Sequence, residues 1–203
     1  MKLVHASALL LIVLPGLLGA QKPLPLADDA PGWARELDAW LGPWGREDTP
    51  GGIVIVTKGK KIEMMRAYGM ANLEQKAPIT PDTVFDIASL SKQFTGYLIA
   101  RAELREQLDR KDLVRDHLPW LPACMADVRV HHLIHHESGI RDWPGALALA
   151  GMRMDDAIPY ARIRNFIENQ RALNFAPGTD HLYSNTNYNL LALLLEKIEG
   201  TPF

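Results

Sequence analysis

A chain of 203 residues, 47% hydrophobic and 23% charged, holds enough apolar material for one packed domain and has the composition of an ordinary soluble globular protein. A formal net charge of −2 gives no electrostatic drive toward nucleic acid, and the one basic cluster, Lys58-Gly59-Lys60-Lys61, falls in a turn between two expected strands. The single cysteine, Cys124, excludes an internal disulfide and a cysteine-based metal site.

Residues 1–20 have the pattern of a signal peptide. Lys2 gives a positive start, Ala8 to Leu18 is almost wholly apolar, and Leu18-Gly19-Ala20 offers a small residue at the cleavage point. The apolar run is too short for a comfortable membrane span, and no cysteine follows it to carry a lipid. The expectation is an exported chain, periplasmic or extracellular, with no stable membrane span after cleavage. Residues 21–31 are expected to be a flexible lead-in, and residues 32–203 the domain, truncated at its C-terminus.

Pro31 opens a short helix with Trp33, Leu37, Trp40 and Leu41 along one stripe. Ile53 to Thr57 is a β-branched run answered by Ile62 to Tyr68, which predicts a hairpin turned at Lys58-Gly59-Lys60. Ile79 to Thr83 is a loop by its punctuation. From Ser89 the spacing turns helical: Leu90, Phe94 and Leu98 recur every four residues, and the helix is expected to run to about Leu108. Short helices are expected near 113–118, 130–137 and 161–172. A buried helix is expected from Thr186 to Glu199, apolar on nearly every side and stopped by Gly200. Two strands followed by helices is an unbalanced α+β pattern, because an isolated hairpin is marginal in water.

Ser89-Leu90-Ser91-Lys92 opens the first long helix and carries the chemistry. Residues three apart on a helix face the same way, so a hydroxyl nucleophile and an amine are brought together. Serine is a weak nucleophile near neutral pH and needs such a base. The helix start adds unpaired N–H groups and a partial positive charge where negative charge would develop. Taken alone, the same residues also suit a serine near a cap and a solvated lysine.

Three further segments give that motif its context. Phe85-Asp86-Ile87-Ala88 leads into Ser89. Leu133-Ile134-His135-His136-Glu137-Ser138-Gly139-Ile140 closes a helix. Phe175-Ala176-Pro177-Gly178-Thr179 precedes Tyr183-Ser184-Asn185-Thr186-Asn187. In this order and spacing, over residues 32 to 203, the chain resembles the serine β-lactamase-related family of class C β-lactamases, D-alanyl-D-alanine carboxypeptidases, D-aminopeptidases and related esterases. The resemblance implies a β-lactamase/transpeptidase-like α+β fold, a helical subdomain beside an antiparallel sheet. It implies Ser89 as the acylated nucleophile and Lys92 as the amine that takes its proton. Tyr183 would move protons to and from the serine and the leaving group, and Asn185 would hold Lys92 and the substrate's amide. The implied reaction runs through an acyl-serine on a lactam, a D-amino-acid peptide or an ester. It requires a small-molecule or peptide substrate and no cofactor or metal. Lysine and tyrosine both titrate near pH 10 when free, so their environment must bring them into use, and two coupled groups titrate as a pair.

His131, His132, His135 and His136 include two pairs at chelating spacing, but no His-Glu-x-x-His occurs, and the resemblance accounts for His136 as the histidine before Ser-Gly. The absence of Gly-x-Ser-x-Gly argues against an α/β-hydrolase. The family's third motif, a Lys- or His-x-Gly strand that lends one oxyanion donor, has no match. The expectation is therefore an N-terminal portion of a serine hydrolase with an incomplete sheet and impaired turnover. The alternatives are a non-catalytic penicillin- or peptide-binding module and an inactive remnant.

Overall fold

The structure, a computed structural model, describes residues 30–153, 155 and 157–203. The expected signal peptide and nearly all of the lead-in lie outside the described residues. Two compact units divide at Asp86 and Ile87.

In the first unit, α1 (Gly32–Leu41) lies against an antiparallel hairpin of β1 (Gly52–Lys58) and β2 (Lys61–Tyr68). The predicted hairpin forms with Lys58 paired to Lys61 and Gly59 at φ +58, a left-handed turn position that glycine takes without cost. Of the expected helix stripe, Leu37 and Leu41 turn inward and the two tryptophans do not. Trp33 and Trp40 are exposed, and the docked face is Ala30, Ala34 and Leu37 against Val56 and Met64. Small residues win here because they let the helix approach the sheet closely. Asp38 then accepts from Arg66 Nε and the Tyr68 hydroxyl, both at 2.8 Å, tying α1 to β2. A second pair, β3 (Met70–Asn72) with β4 (Ala77–Pro78), was not expected; strands of three and two residues are too short to show a period.

The second unit is helical: α2 (Lys92–Leu104), α3 (Val114–His117), α4 (Val130–Ile134), α5 (Trp143–Leu149), α6 (Tyr160–Glu168) and α7 (Asn185–Glu199). Its core gathers Ile99, Ala102, Val114, Met125, Leu133 and Ile167 around Leu190, Leu191 and Leu194 of α7. Helix α7 packs on α2, α4 and α5 and ends at Gly200 with φ +69. Each buried leucine contributes about 1.5–3 kcal/mol, so α7 is the apolar axis of the unit.

Helix α2 departs from expectation in two ways. It ends at Leu104 because Glu106 turns left-handed at φ +57. Glu106 N–H then bonds Glu103 O at 2.9 Å and Gln107 N–H bonds Ala102 O at 3.0 Å, a Schellman closure built without glycine. Its buried stripe is Thr95, Ile99 and Ala102, whereas Leu90 and Phe94 are exposed. Helix α5 was not expected either. The observed architecture is α+β with two small antiparallel sheets. No helix among the described residues is long and apolar enough to cross a membrane.

Candidate active site

The helical run around Ser89 begins with a 3-10 segment, Ala88–Ser91, which passes directly into α2 at Lys92. Ala88 has φ +45, a left-handed value that a non-glycine residue adopts only at a cost of order 1–3 kcal/mol. The sharp turn leaves Ser89 exposed at the head of the helix. Lys92 Nζ donates to Ser89 Oγ at 3.1 Å and to Asn185 Oδ1 at 2.8 Å. The Tyr183 hydroxyl lies 2.8 Å from Ser89 Oγ and donates to Asn185 Oδ1 at 3.3 Å. All four sequence-predicted site residues therefore meet, although 91 positions separate Lys92 from Tyr183 in the chain.

Tyr183 and Asn185 are held from behind. His136, itself at φ +58, accepts the Leu182 N–H on its carbonyl at 2.9 Å and the Ser184 N–H on Nδ1 at 3.2 Å. Its ring packs on Tyr183 with centroids 4.5 Å apart. The turn that places His136 depends on Gly139, at φ +72; a Cβ there would stand 2.3 Å from Phe175 O. Below it, Ser138 Oγ donates to Asn187 Oδ1 at 2.6 Å, and both residues are buried.

Burial pushes the Tyr183 phenol up. Hydrogen bonding with Lys92 and Ser89, and the Lys92 charge, outweigh it and hold the phenol below its usual value. The ammonium lies 5.0 Å from the Tyr183 ring centroid. Burial also lowers His136, with the His181 and Lys92 charges adding to it. Because Nδ1 accepts a backbone N–H, the neutral ring carries its proton on Nε2. The site thus sets an imidazole lowered by burial behind a phenol held below its usual value, next to the Lys92 amine. Once the phenol proton has left, that arrangement can remove a proton from Ser89 and return one to a leaving group.

Asp142 was missed. Its Oδ1 accepts the Asn185 backbone N–H at 2.6 Å and Asn185 Nδ2 at 3.1 Å. Asp142-Trp143-Pro144 has the acid-then-proline form of a helix start, a signal that marks α5. Nothing local in the sequence points that carboxylate at a residue 43 positions away. The neighbouring histidines are engaged with protein groups: His131 Nδ1 lies 3.0 Å from Arg110 O, and His132 Nδ1 accepts the Arg129 N–H at 3.1 Å. Among the described residues no group of three or more His, Cys, Asp and Glu is placed to hold a metal ion.

Ser89, Lys92, Tyr183 and Asn185 thus meet within the helical unit. The Beta-lactamase family model matches residues 32–203, and the chain belongs to that family. Over 155 residues it is 34% identical to the D-aminopeptidase of Gluconobacter oxydans (strain 621H), a match covering 76% of this chain and 29% of that protein. It is 30% identical over 152 residues to penicillin-binding protein 4* of Bacillus subtilis (strain 168), covering 75% and 33%. The octameric penicillin-binding protein homologue from Pyrococcus abyssi shares the fold with a TM-score of 0.68 at 27% identity, over 83% of this chain and 40% of that one. The matches thus span about a third or less of the length of these curated relatives. The fold is β-lactamase/transpeptidase-like, as the motifs imply.

Proposed function

We propose that the chain carries the acylation centre of a serine hydrolase acting on peptides or amides that contain a D-amino acid. The observation that supports it is the position of Ser89 Oγ, within hydrogen-bond reach of both Lys92 Nζ and the Tyr183 hydroxyl. As Oγ attacks the substrate carbonyl carbon, the Lys92–Tyr183 pair, having first lost one proton to solvent, takes the serine proton, and the carbonyl electrons move onto oxygen. The Ser89 N–H, in the first turn of the helical segment, would be a donor to that oxyanion. Collapse breaks the carbon–nitrogen bond. The amine leaves with the proton the pair held, and an ester to Ser89 remains. Water attacks that ester, gives its proton to the same pair, and Ser89 regains its own. Asn185 holds the lysine and accepts the tyrosine's hydrogen bond through the cycle. The substrate class follows the similarity to the D-aminopeptidase.

A second reading, acylation without turnover, is favoured by the similarity to penicillin-binding protein 4*. The two separate in one experiment. The chain is incubated with a fluorescent penicillin and with a D-alanine anilide, and the label is mapped. Label on Ser89, lost in Ser89→Ala, together with anilide turnover supports the hydrolase. Stable label without turnover supports the second reading. No label on Ser89 refutes both. Residues 1–20 are proposed to direct export to the periplasm or beyond; an exported product still beginning at Met1 would refute their removal.

A further inference from the structure

We infer that Asp142 is a positioning residue that fixes the Asn185 amide with its oxygen turned toward Lys92. The inference rests on the acylation reading given above. It begins from where the segment 141–143 spends its polar groups. Asp142 stands at the N-cap of α5, yet its side chain makes no capping bond to that helix. Its carboxylate crosses to α7, where Oδ1 accepts both the backbone and side-chain N–H groups of Asn185. The residues beside it follow. Arg141 O accepts from Thr186 Oγ1 at 2.7 Å, Trp143 N–H donates to Thr186 Oγ1 at 3.0 Å, and Trp143 Nε1 donates to Asn189 Oδ1 at 2.8 Å. The start of α5 is therefore stapled to the first turn of α7 rather than closed on itself.

The chemistry of the two neighbours makes the orientation of Asn185 obligatory. A primary amide has an oxygen end and an NH2 end of nearly equal shape, and either fits a given space. Here one side of the amide meets the Lys92 nitrogen, which donates to it, and the other the Asp142 carboxylate oxygen, which accepts from it. One orientation satisfies both contacts. The flipped amide would set NH2 against that nitrogen and oxygen against carboxylate and lose both. Asp142 thus acts on Ser89 through Asn185 and Lys92, without touching it. A residue of the reacting array that drifts by about an ångström can lose on the order of a hundredfold in rate, so this contact is within reach of a kinetic test.

The test is the second-order rate of Ser89 labelling by a fluorophosphonate in wild type, Asp142→Ala, Asn185→Ala and the double variant. Loss of orientation should slow Asp142→Ala about tenfold to a hundredfold. If Asp142 works through Asn185, the double variant stays within about twofold of Asn185→Ala. Asp142→Asn keeps an acceptor oxygen at the same place and should recover most of the rate, whereas Asp142→Leu, with bulk but no acceptor, should not; recovery in Asp142→Leu overturns the inference. Losses that multiply, or an Asp142→Ala rate equal to wild type, overturn the inference. A measurement independent of labelling is the side-chain NH2 signal of Asn185 in 15N-labelled protein, assigned by its absence in Asn185→Ala. Its two proton resonances should move in Asp142→Ala, and unmoved resonances also overturn the inference. A wild-type chain that takes no label on Ser89 defeats the hydrolase reading, and the amide resonances then decide the placement of Asn185 by themselves.

Discussion

Replacing Tyr183 by phenylalanine separates the proton-handling role of this residue from its packing. The substitution keeps the ring, and with it the contact on His136 at 4.5 Å and the Lys92 ammonium 5.0 Å from the ring centroid. Those contacts are worth about 0.5–1.5 kcal/mol and about 0.5–1 kcal/mol respectively, and the variant retains them. It loses only the hydroxyl. Tyr183 is 44% exposed, and Asn185 Oδ1 still receives Lys92 Nζ, so no buried group is stranded. Stability should therefore change by no more than about 0.5 kcal/mol. The rate should change far more. Positioned proton transfer contributes about 10²–10⁴-fold, which is about 2.7–5.4 kcal/mol of barrier at 1.36 kcal/mol per decade. Lys92 Nζ still donates to Ser89 Oγ at 3.1 Å and still stabilises the developing alkoxide, which sets the loss near the lower end, about a hundredfold. The assay is the rate of Ser89 labelling against pH, with thermal unfolding alongside. The wild-type rate should rise with pH and level off below the ordinary phenol range, because the phenol is held low by Lys92 and Ser89 against the effect of burial. The variant should lack that limb. A Tyr183→Phe chain labelled as fast as wild type with the same pH profile would refute the assignment. A midpoint lowered by more than about 4 °C would show that the hydroxyl is structural.

Three other outcomes follow from the same geometry. Ser138→Ala removes the donor to buried Asn187 Oδ1 and the acceptor of the Ile140 N–H; the urea midpoint should fall by an amount equivalent to about 1–3 kcal/mol, and an unchanged midpoint would refute the buried pair. His136 and His132 are both lowered, chiefly by burial, so the unfolded chain binds more protons than the folded one once pH drops toward about 6.5. Stability should be full above that pH and decline as pH falls through it; His136→Asn, tolerated at φ +58, should flatten the decline, and an equal slope would remove His136 as a cause. Glu106→Gly relieves a left-handed residue at the close of α2 and should raise stability by about 0.5–1 kcal/mol after glycine's entropy is counted; a lower melting temperature would contradict that.

The parts of this molecule legible in the sequence are those whose cause is local. Ile53–Thr57 and Ile62–Tyr68 read as a hairpin because Gly59 can turn left-handed between them, and Ser89 and Lys92 could be joined because three residues of helix separate them. The strand pair at Met70–Asn72 and Ala77–Pro78 had no period to read. In α2, apolar residues occur on more than one side, so spacing by four fitted Leu90, Phe94 and Leu98 while the packing chose Thr95, Ile99 and Ala102. Spacing gives a period; only the neighbouring helix says which phase is buried. Asp142 is the clearest limit, since its partner lies on another helix and its own surroundings in sequence describe a different one. Tyr183 and Asn185 were found through resemblance of motifs, for no local rule connects residue 183 with residue 89.

The first turn of α7 explains how so many distant groups meet. Successive helical residues are rotated by about 100°, so Asn185, Thr186 and Asn187 present their side chains in three directions. Asn185 serves Lys92 and Asp142, Thr186 serves Arg141 and Trp143, and Asn187 serves Ser138 and His136. One turn thus binds the nucleophile's helix, the start of α5 and the His136 turn. Such contacts add little net energy each, about 0.5–1.5 kcal/mol. What keeps the turn in place is the rest of the same helix, where Leu190, Leu191, Leu194 and Leu195 are buried at about 1.5–3 kcal/mol apiece. The division is physical: the apolar body of α7 supplies the stability, and its polar head uses that anchorage to set directions. A polar head on a loosely packed helix would reach the same partners only part of the time, and the Ser89–Lys92–Tyr183 distances would spread with it.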